Sequence, residues 1–383
     1  LIWSSSSTLA AAIAQPGFGS IAGQVVDQNG KPVAGVLVDV PHQAPLHTDA
    51  NGRFALNNLA PRSRLPVSLK ASGYVGTILI YEIAPGITAS RKVALWPRAA
   101  PVRLDAVRGG TVPLLPAGEI AFPPNALVDE RGHRIIGPVQ VSATLLDVTS
   151  SAQLGAAPGD FTARLRDGAI RQIATFGILE VVIVTEDGAQ AKLAPGQRAL
   201  VKVPIPSVFQ QNAPSRARSY SFELDKGRWI ESGTVKLEPG KVRTADPQYS
   251  QYVGSLSQDL LISPWWATDP VVVNTTCMSF VTLEPTCNLT TGVCPPASGC
   301  SVTVNPVSSG TGASGYTNSD GRVCLIVQRG VPVTVSVYCD TDQGLPTLKL
   351  TSPITPATAA ACTGSCNLCP TTYLQLQVVT GGG

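Results

Sequence analysis

The chain is 383 residues long, with 14% charged residues and a formal net charge of +3. That length allows two to four domains, and so weak a charge, with no basic stripe and no aromatic-basic interleaving, gives no footprint for nucleic acid. The 36 glycines, 32 prolines and 44% hydrophobic residues suit short strands joined by tight turns, and no apolar run is long enough for a transmembrane helix.

Residues 1–20 read as an extended N-terminal tail. The first charged side chain is Asp27. Odd positions carry the large residues Leu1, Trp3, Leu9 and Ile13, and even positions, apart from Ile2, are Ser, Thr or Ala. This period of two describes a strand with one face in a groove. Leu1, Trp3, Leu9 and Ile13 are therefore candidate inter-subunit contacts. Ala12-Ile13-Ala14 looks like a signal-peptidase site, but a basic n-region is lacking and Ser4 to Ser7 interrupt the apolar run. The tail is expected to be retained, with the leader upstream of Leu1.

Residues 21–100 form the first unit. Apolar residues alternate on both sides of Asn29-Gly30, a pair that predicts a hairpin. A second turn at Thr48 to Phe54 enters a strand, and Val67 to Ala71 alternates again. The stretch resembles the carboxypeptidase regulatory-like (transthyretin-like) domain. The resemblance rests on Gly23, Val25, Asp27, Gly30, Pro32, Val33, Gly35, Val36 and Val38, continues through Thr48, Asp49, Gly52 and Phe54, and ends at Gly73-Tyr74. It implies a seven-stranded sandwich that serves as a spacer, binding or assembly module, with no catalysis.

Residues 101–240 form a second β-rich unit of about eight or nine short strands between Gly, Pro and Asp turns, with no convincing helix. Its Pro158-Gly159-Asp160-Phe161 and Gly227-Arg228-Trp229 elements resemble the ectodomain region of the cartilage intermediate layer protein family, where such a module also follows a regulatory-like domain. The resemblance implies a secreted or surface-exposed β module and supplies no catalytic residue. Residues 241–270 read as a connector containing Pro247, Tyr249, Tyr252, Pro264, Trp265 and Trp266.

Residues 271–383 hold all the cysteines: Cys277, Cys287, Cys294, Cys300, Cys324, Cys339, Cys362, Cys366 and Cys369. Charged residues almost vanish here, and Asn274 and Asn288 are N-glycosylation candidates. Thiol-rich, charge-poor and glycosylation-competent together predict an extracellular or cell-surface domain stapled by up to four intrachain disulfides, with the ninth cysteine free or paired with another chain. Cys362, Cys366 and Cys369 are one ligand short of a structural zinc site. Thr317 to Leu325 echoes Thr48 to Leu56, which suggests a diverged second copy of the first unit.

The chemistry-bearing residues are few. The histidines are His42, His47 and His133, and His47 lies two residues before Asp49 on a loop, a poor basis for a triad. Asp340 to Gly344 starts like a calcium loop but lacks the third acidic position and the closing Glu, so it reads as a hairpin turn. Trp265-Trp266 offers either a glycan platform or interdomain packing. The expectation is an all-β chain of three tandem antiparallel sandwich-like domains behind an extended tail, with no enzymatic centre, no metal and no cofactor. The leading functional expectation is a structural subunit of an extracellular fibre or surface layer. Its partner is itself, joined head to tail by strand addition. The alternatives are a monomeric surface adhesin or glycan-binding module, and the non-catalytic region of a larger secreted enzyme.

Overall fold

A computed structural model describes residues 17–115, 117–173, 175–206, 213–239, 250–256, 265–270, 275–284, 294–297, 299–307, 313–318, 320–328, 330–339, 347–349 and 371–376. Among the described residues the fold is all-β apart from one short helix.

The first unit contains β1 (Gly19–Val26), β2 (Leu37–Asp39), β3 (Leu46–His47), β4 (Arg53–Leu59), β5 (Arg62–Lys70), β6 (Thr77–Ile83) and β7 (Thr88–Ala94). One sheet has the order β4-β1-β7 and the other β3-β2-β5-β6. Their inner faces enclose Ile21, Val25, Val38, Leu65, Val67, Leu79 and Tyr81. The Asn29-Gly30 turn is present, with Gly30 at φ +81 and the Gly30 amide donating to the Asp27 carbonyl at 3.0 Å. It closes only the bridge Val26↔Pro32, not a hairpin of two full strands. The chain then crosses to the opposite sheet, because β1 and β2 must both turn their apolar faces to one core.

The middle unit contains β8 (Val102–Asp105), β9 (Gly110–Pro113), β10 (Glu119–Phe122), β11 (Leu127–Asp129), β12 (Pro138–Leu146) and α1 (Ser151–Gly155). It continues with β13 (Thr162–Arg164), β14 (Ile170–Gln172), β15 (Gly177–Thr185), β16 (Ala191–Leu193) and β17 (Ala199–Pro204). Its last strands are β18 (Arg216–Glu223), β19 (Arg228–Pro239), β20 (Ser250–Leu256) and β21 (Trp265–Pro270). Ten of them run in the order β8-β12-β15-β21-β18-β19-β20-β17-β10-β9, with the β13–β14 hairpin joined to β19. The end strands β8 and β9 meet at the bridge Asp105↔Gly109, so the sheet curls back on itself around one apolar core. Residues 250–256 and 265–270, read above as connector, are interior strands of this sheet. β20 pairs with β17 and β19, and β21 with β15 and β18.

The cysteine-rich unit contains β22 (Thr275–Leu283), β23 (Ser301–Pro306), β24 (Ala313–Tyr316), β25 (Arg322–Gln328), β26 (Val333–Tyr338), β27 (Thr347–Lys349) and β28 (Thr371–Gln375). Its sheets, β25-β22-β28 and β24-β23-β26-β27, repeat the first unit strand for strand. Even the unusual parallel pair recurs, β1 with β7 and β22 with β28. The turns agree at the level of single hydrogen bonds. Thr48 Oγ1 donates to the Val33 carbonyl at 2.8 Å and accepts from the Val36 amide at 3.0 Å. Thr317 Oγ1 donates to the Ala297 carbonyl at 2.9 Å and accepts from the Cys300 amide at 2.9 Å. The Asp49 carboxylate accepts the Arg53 amide at 2.7 Å, and the Asn318 side chain accepts the Arg322 amide at 2.9 Å. The echo between residues 48–56 and 317–325 is therefore a repeated fold.

Candidate functional site

The polar residues that the fold buries collect where domains meet. Strand β6 begins the first junction. Its sequence, TILIYEI, is buried along nearly its whole length. Leu79, Tyr81 and Ile83 face the core of the first sandwich, while Ile78 and Ile80, with Val75 just before the strand, belong to the core of the middle unit. Period-two alternation thus sends one strand into two cores.

Around that shared strand, charged groups lock the two units. Arg64 on β5 donates to Asp160 through Nη1 at 2.5 Å and Nη2 at 3.0 Å, and its Nη2 also reaches the Gly227 carbonyl at 2.8 Å. The Gly159 amide donates to the Ile78 carbonyl at 2.7 Å. A Cβ on Gly159 would lie 2.6 Å from the Phe222 ring, and one on Gly227 would lie 2.4 Å from Ile80 Cδ1. Both glycines have positive φ, +77 and +60. The Gly227-to-Trp229 element therefore serves close approach to Ile80 and Pro66 of the first unit, while Gly159 makes room for Phe222 inside the middle unit and sends its amide across to Ile78. Burial by itself would raise the Asp160 carboxyl, but the hydrogen bonds and charge of Arg64, with Thr162, outweigh it and hold the group below its usual range.

A second lock is Glu180 on β15, which is 2% exposed. It accepts from Arg98 Nε at 2.9 Å, from Arg98 Nη2 at 3.1 Å and from the Gly76 amide at 3.1 Å. One carboxylate is thus shared between the end of the first unit and the loop that leads into β6. The Ala99 amide adds a bond to Thr144 Oγ1 at 2.9 Å.

The third contact joins the two sandwiches. Arg91 on β7 is 4% exposed and donates through Nη2 to the Ile80 carbonyl at 2.6 Å. Its guanidinium carbon lies 3.9 Å from the centroid of the Tyr316 ring, from β24, and 5.0 Å from that of Tyr81. Burial lowers the Arg91 pKa, opposed by the two tyrosines and Asp160; a guanidinium in a protein stays charged. Burial also pushes the Tyr316 hydroxyl up, against the attraction of Arg91. The arrangement is a cation held between aromatic faces in place of a carboxylate.

The sequence-predicted residues are placed as follows. Cys300 and Cys339 form a disulfide across the ends of the paired strands β23 and β26. Cys277, Cys294 and Cys324 are also disulfide-bonded. Crosslinks in this number belong to an oxidising compartment, and the chain is extracellular or at the cell surface. Leu1, Trp3, Leu9, Ile13, Asn274, Asn288, Cys287, Cys362, Cys366 and Cys369 lie outside the described residues, as do residues 340–344 of the calcium-like loop. His42, His47 and His133 are exposed, and His133 Nδ1 sits 3.1 Å from Asp129. Among the described residues no three of His, Cys, Asp or Glu gather at one place. Sequence reading missed Arg64, Arg91, Arg98, Glu180 and Tyr316. The available signal was a charged residue inside an apolar strand run, as in GILEVVIVT around Glu180.

The fold and its junctions define an all-β protein of docked extracellular domains, two of them copies of one sandwich. Residues 20–95 match the family model of the carboxypeptidase regulatory-like domain. The chain is similar to cartilage intermediate layer protein 2 of Mus musculus, 27% identical over 261 residues, covering 63% of this chain and 22% of that protein. It is likewise 24% identical over 222 residues to cartilage intermediate layer protein 1 of Homo sapiens, covering 55% and 18%. The chain therefore spans about a fifth of the length of these relatives. Among solved structures, the Bacillus anthracis TIE protein aligns over 94% of this chain and 51% of its own, at 10% identity and a TM-score of 0.20. BcpA, the major pilin subunit of Bacillus cereus, aligns over 94% of this chain and 99% of its own, at 10% identity and a TM-score of 0.18. Scores of this size do not establish a shared fold.

Proposed function

We propose that the chain is a non-catalytic structural subunit of an extracellular fibre or surface layer, with protomers joined head to tail by strand addition from the N-terminal tail. The observation that carries this reading is the way its domains are joined. Buried ion pairs and a shared strand replace free linkers, which suits a part that must transmit load. The match of residues 20–95 to a carboxypeptidase regulatory-like domain supports the non-catalytic part. The tail contributes Leu1, Trp3, Leu9 and Ile13 on one face. A fitting acceptor is the outer edge of β4, which among the described residues pairs only through β1. N-linked sugar at Asn274 and Asn288 belongs to the same extracellular reading.

Electron microscopy and sedimentation of the intact chain beside one lacking residues 1–14 test this. The intact chain is expected to form concentration-dependent polymers and the truncated chain folded monomers. Normal polymers from the truncated chain overturn the strand-addition mechanism.

A further inference from the structure

The second copy of the sandwich docks on the first with a defined polarity. Its β23–β24 side meets strand β7. Gly299, at φ +73, comes so close that a Cβ would lie 2.3 Å from the Ser90 carbonyl oxygen, and Tyr316 closes over Arg91. Two copies of one domain that meet through different faces form a heterologous contact, and such a contact leaves one half of the pair on each copy to engage a further copy.

Both halves can be located from the repeat. Registering Val25 on Thr282 and Val36 on Cys300 makes Gly35 the counterpart of Gly299, and His47 that of Tyr316. On the other side, Thr371 corresponds to Ser90 and Tyr373 to Lys92. Gly35 keeps the positive φ of its counterpart, +71, yet nothing lies within 4 Å of its Cβ position. Residues 42–45 and His47 beside it are exposed. On the C-terminal copy, Thr371 is exposed and Tyr373 is 65% exposed, a large aromatic on the outer strand of a sheet.

We propose that these two faces bind each other between protomers. The β2–β3 corner of the N-terminal sandwich would seat on β28 of the preceding protomer, with Gly35 against the Thr371 carbonyl and His47 over the strand. The occupant is a second copy of this chain, because the same pair of faces is already engaged within one chain. The side chains change places but keep their chemistry. Tyr373 supplies the aromatic surface, and Arg322, whose Nη1 reaches Thr371 Oγ1 at 3.4 Å, supplies the guanidinium. The proposal rests on the reading of the chain as a self-assembling subunit. It adds a domain-to-domain contact to the strand joint.

The test uses the full chain with a photo-crosslinking benzoylphenylalanine at position 373, in an equal mixture of ¹⁴N and ¹⁵N protein. Mixed-isotope crosslinks from position 373 to residues 35–47 are the expected result. Tyr373→Asp and His47→Glu, on opposite sandwiches and both exposed, should each raise the midpoint concentration for assembly by about thirtyfold, the effect of a hot-spot side chain. Two variants guard against a local folding defect in either one. Polymers whose crosslinks fall elsewhere, or which form normally from both variants, overturn this contact and leave self-assembly standing. A chain monomeric at every concentration overturns the contact and the self-assembly reading together.

Discussion

Glu180 and Asp160 do similar work in different surroundings, and the difference sets what each should cost to remove. Glu180 is 2% exposed and its partner Arg98 26%. Glu180→Ala strips the acceptor from Arg98 and from the Gly76 amide. Loss of one partner of a buried pair costs about 3–5 kcal/mol, and the partial exposure of Arg98 reduces that to roughly 2–4 kcal/mol. Denaturant titration reads the loss directly; a change within experimental error would mean that Glu180 is idle. Asp160 gives a pH dependence instead. Its folded pKa lies below the ordinary carboxyl value, so the unfolded chain takes up its proton first as pH falls. The stability it contributes is present in full above the unfolded value of about 4 and is lost as pH drops through the lower folded value. Asp160→Asn should flatten that part of the acid limb, measured as unfolding free energy against pH. A variant with an unchanged acid limb would place the proton linkage elsewhere.

At the scale of elements, the local parts were legible and the shared parts were not. The turn at Thr48 to Arg53 and its copy at Thr317 to Arg322 show in the sequence because Asp or Asn, Gly and the flanking Thr close their hydrogen bonds within a few residues. The cysteine staple was legible for the same reason of composition. Strands β20 and β21 passed for a connector because their pairing partners lie far off in the chain, and nothing in 250–270 alternates clearly enough to announce a buried face. Strand β6 carries no period-two signal in its sequence, because burial on two faces erases the alternation that marks a strand buried on one. That double burial has a testable consequence. Ile80 lies in the core of the middle unit although its strand belongs to the first sandwich. Ile80→Ala should cost about 2–5 kcal/mol. Calorimetry should show both units losing stability in one transition; two separated transitions, with only one shifted, would mean that the shared strand does not couple them.

Over the whole molecule, stability is expected to divide at the C-terminal sandwich. The first two units contain no cysteine and share two ion-pair locks and a strand, β6, that enters both of their cores. The third has few charged residues and a core of its own, built from Phe280, Val302, Leu325, Val335, Cys300 and Cys339 among others. The Cys300–Cys339 bridge spans 39 residues, and cross-linking a loop of that size contributes about 3–4 kcal/mol by restricting the unfolded chain. Removing it with the other bridges takes away most of what a domain of this size has in reserve. Reductant should therefore unfold the C-terminal sandwich at a temperature where the rest stays native. Arg91 reports the event. Its guanidinium is buried by Tyr316, and once the third unit unfolds that face of the first sandwich meets water. Hydrogen exchange should show new exposure along β7 together with the loss of β22 to β28, while β15 and β18 remain protected. A Tyr316→Phe variant keeps the ring over the cation and should behave as the parent does. Tyr316→Ala removes it and should loosen β7 even with the disulfides intact. If β7 stays protected when the third unit is reduced and unfolded, the cation–aromatic contact is not what joins the two sandwiches.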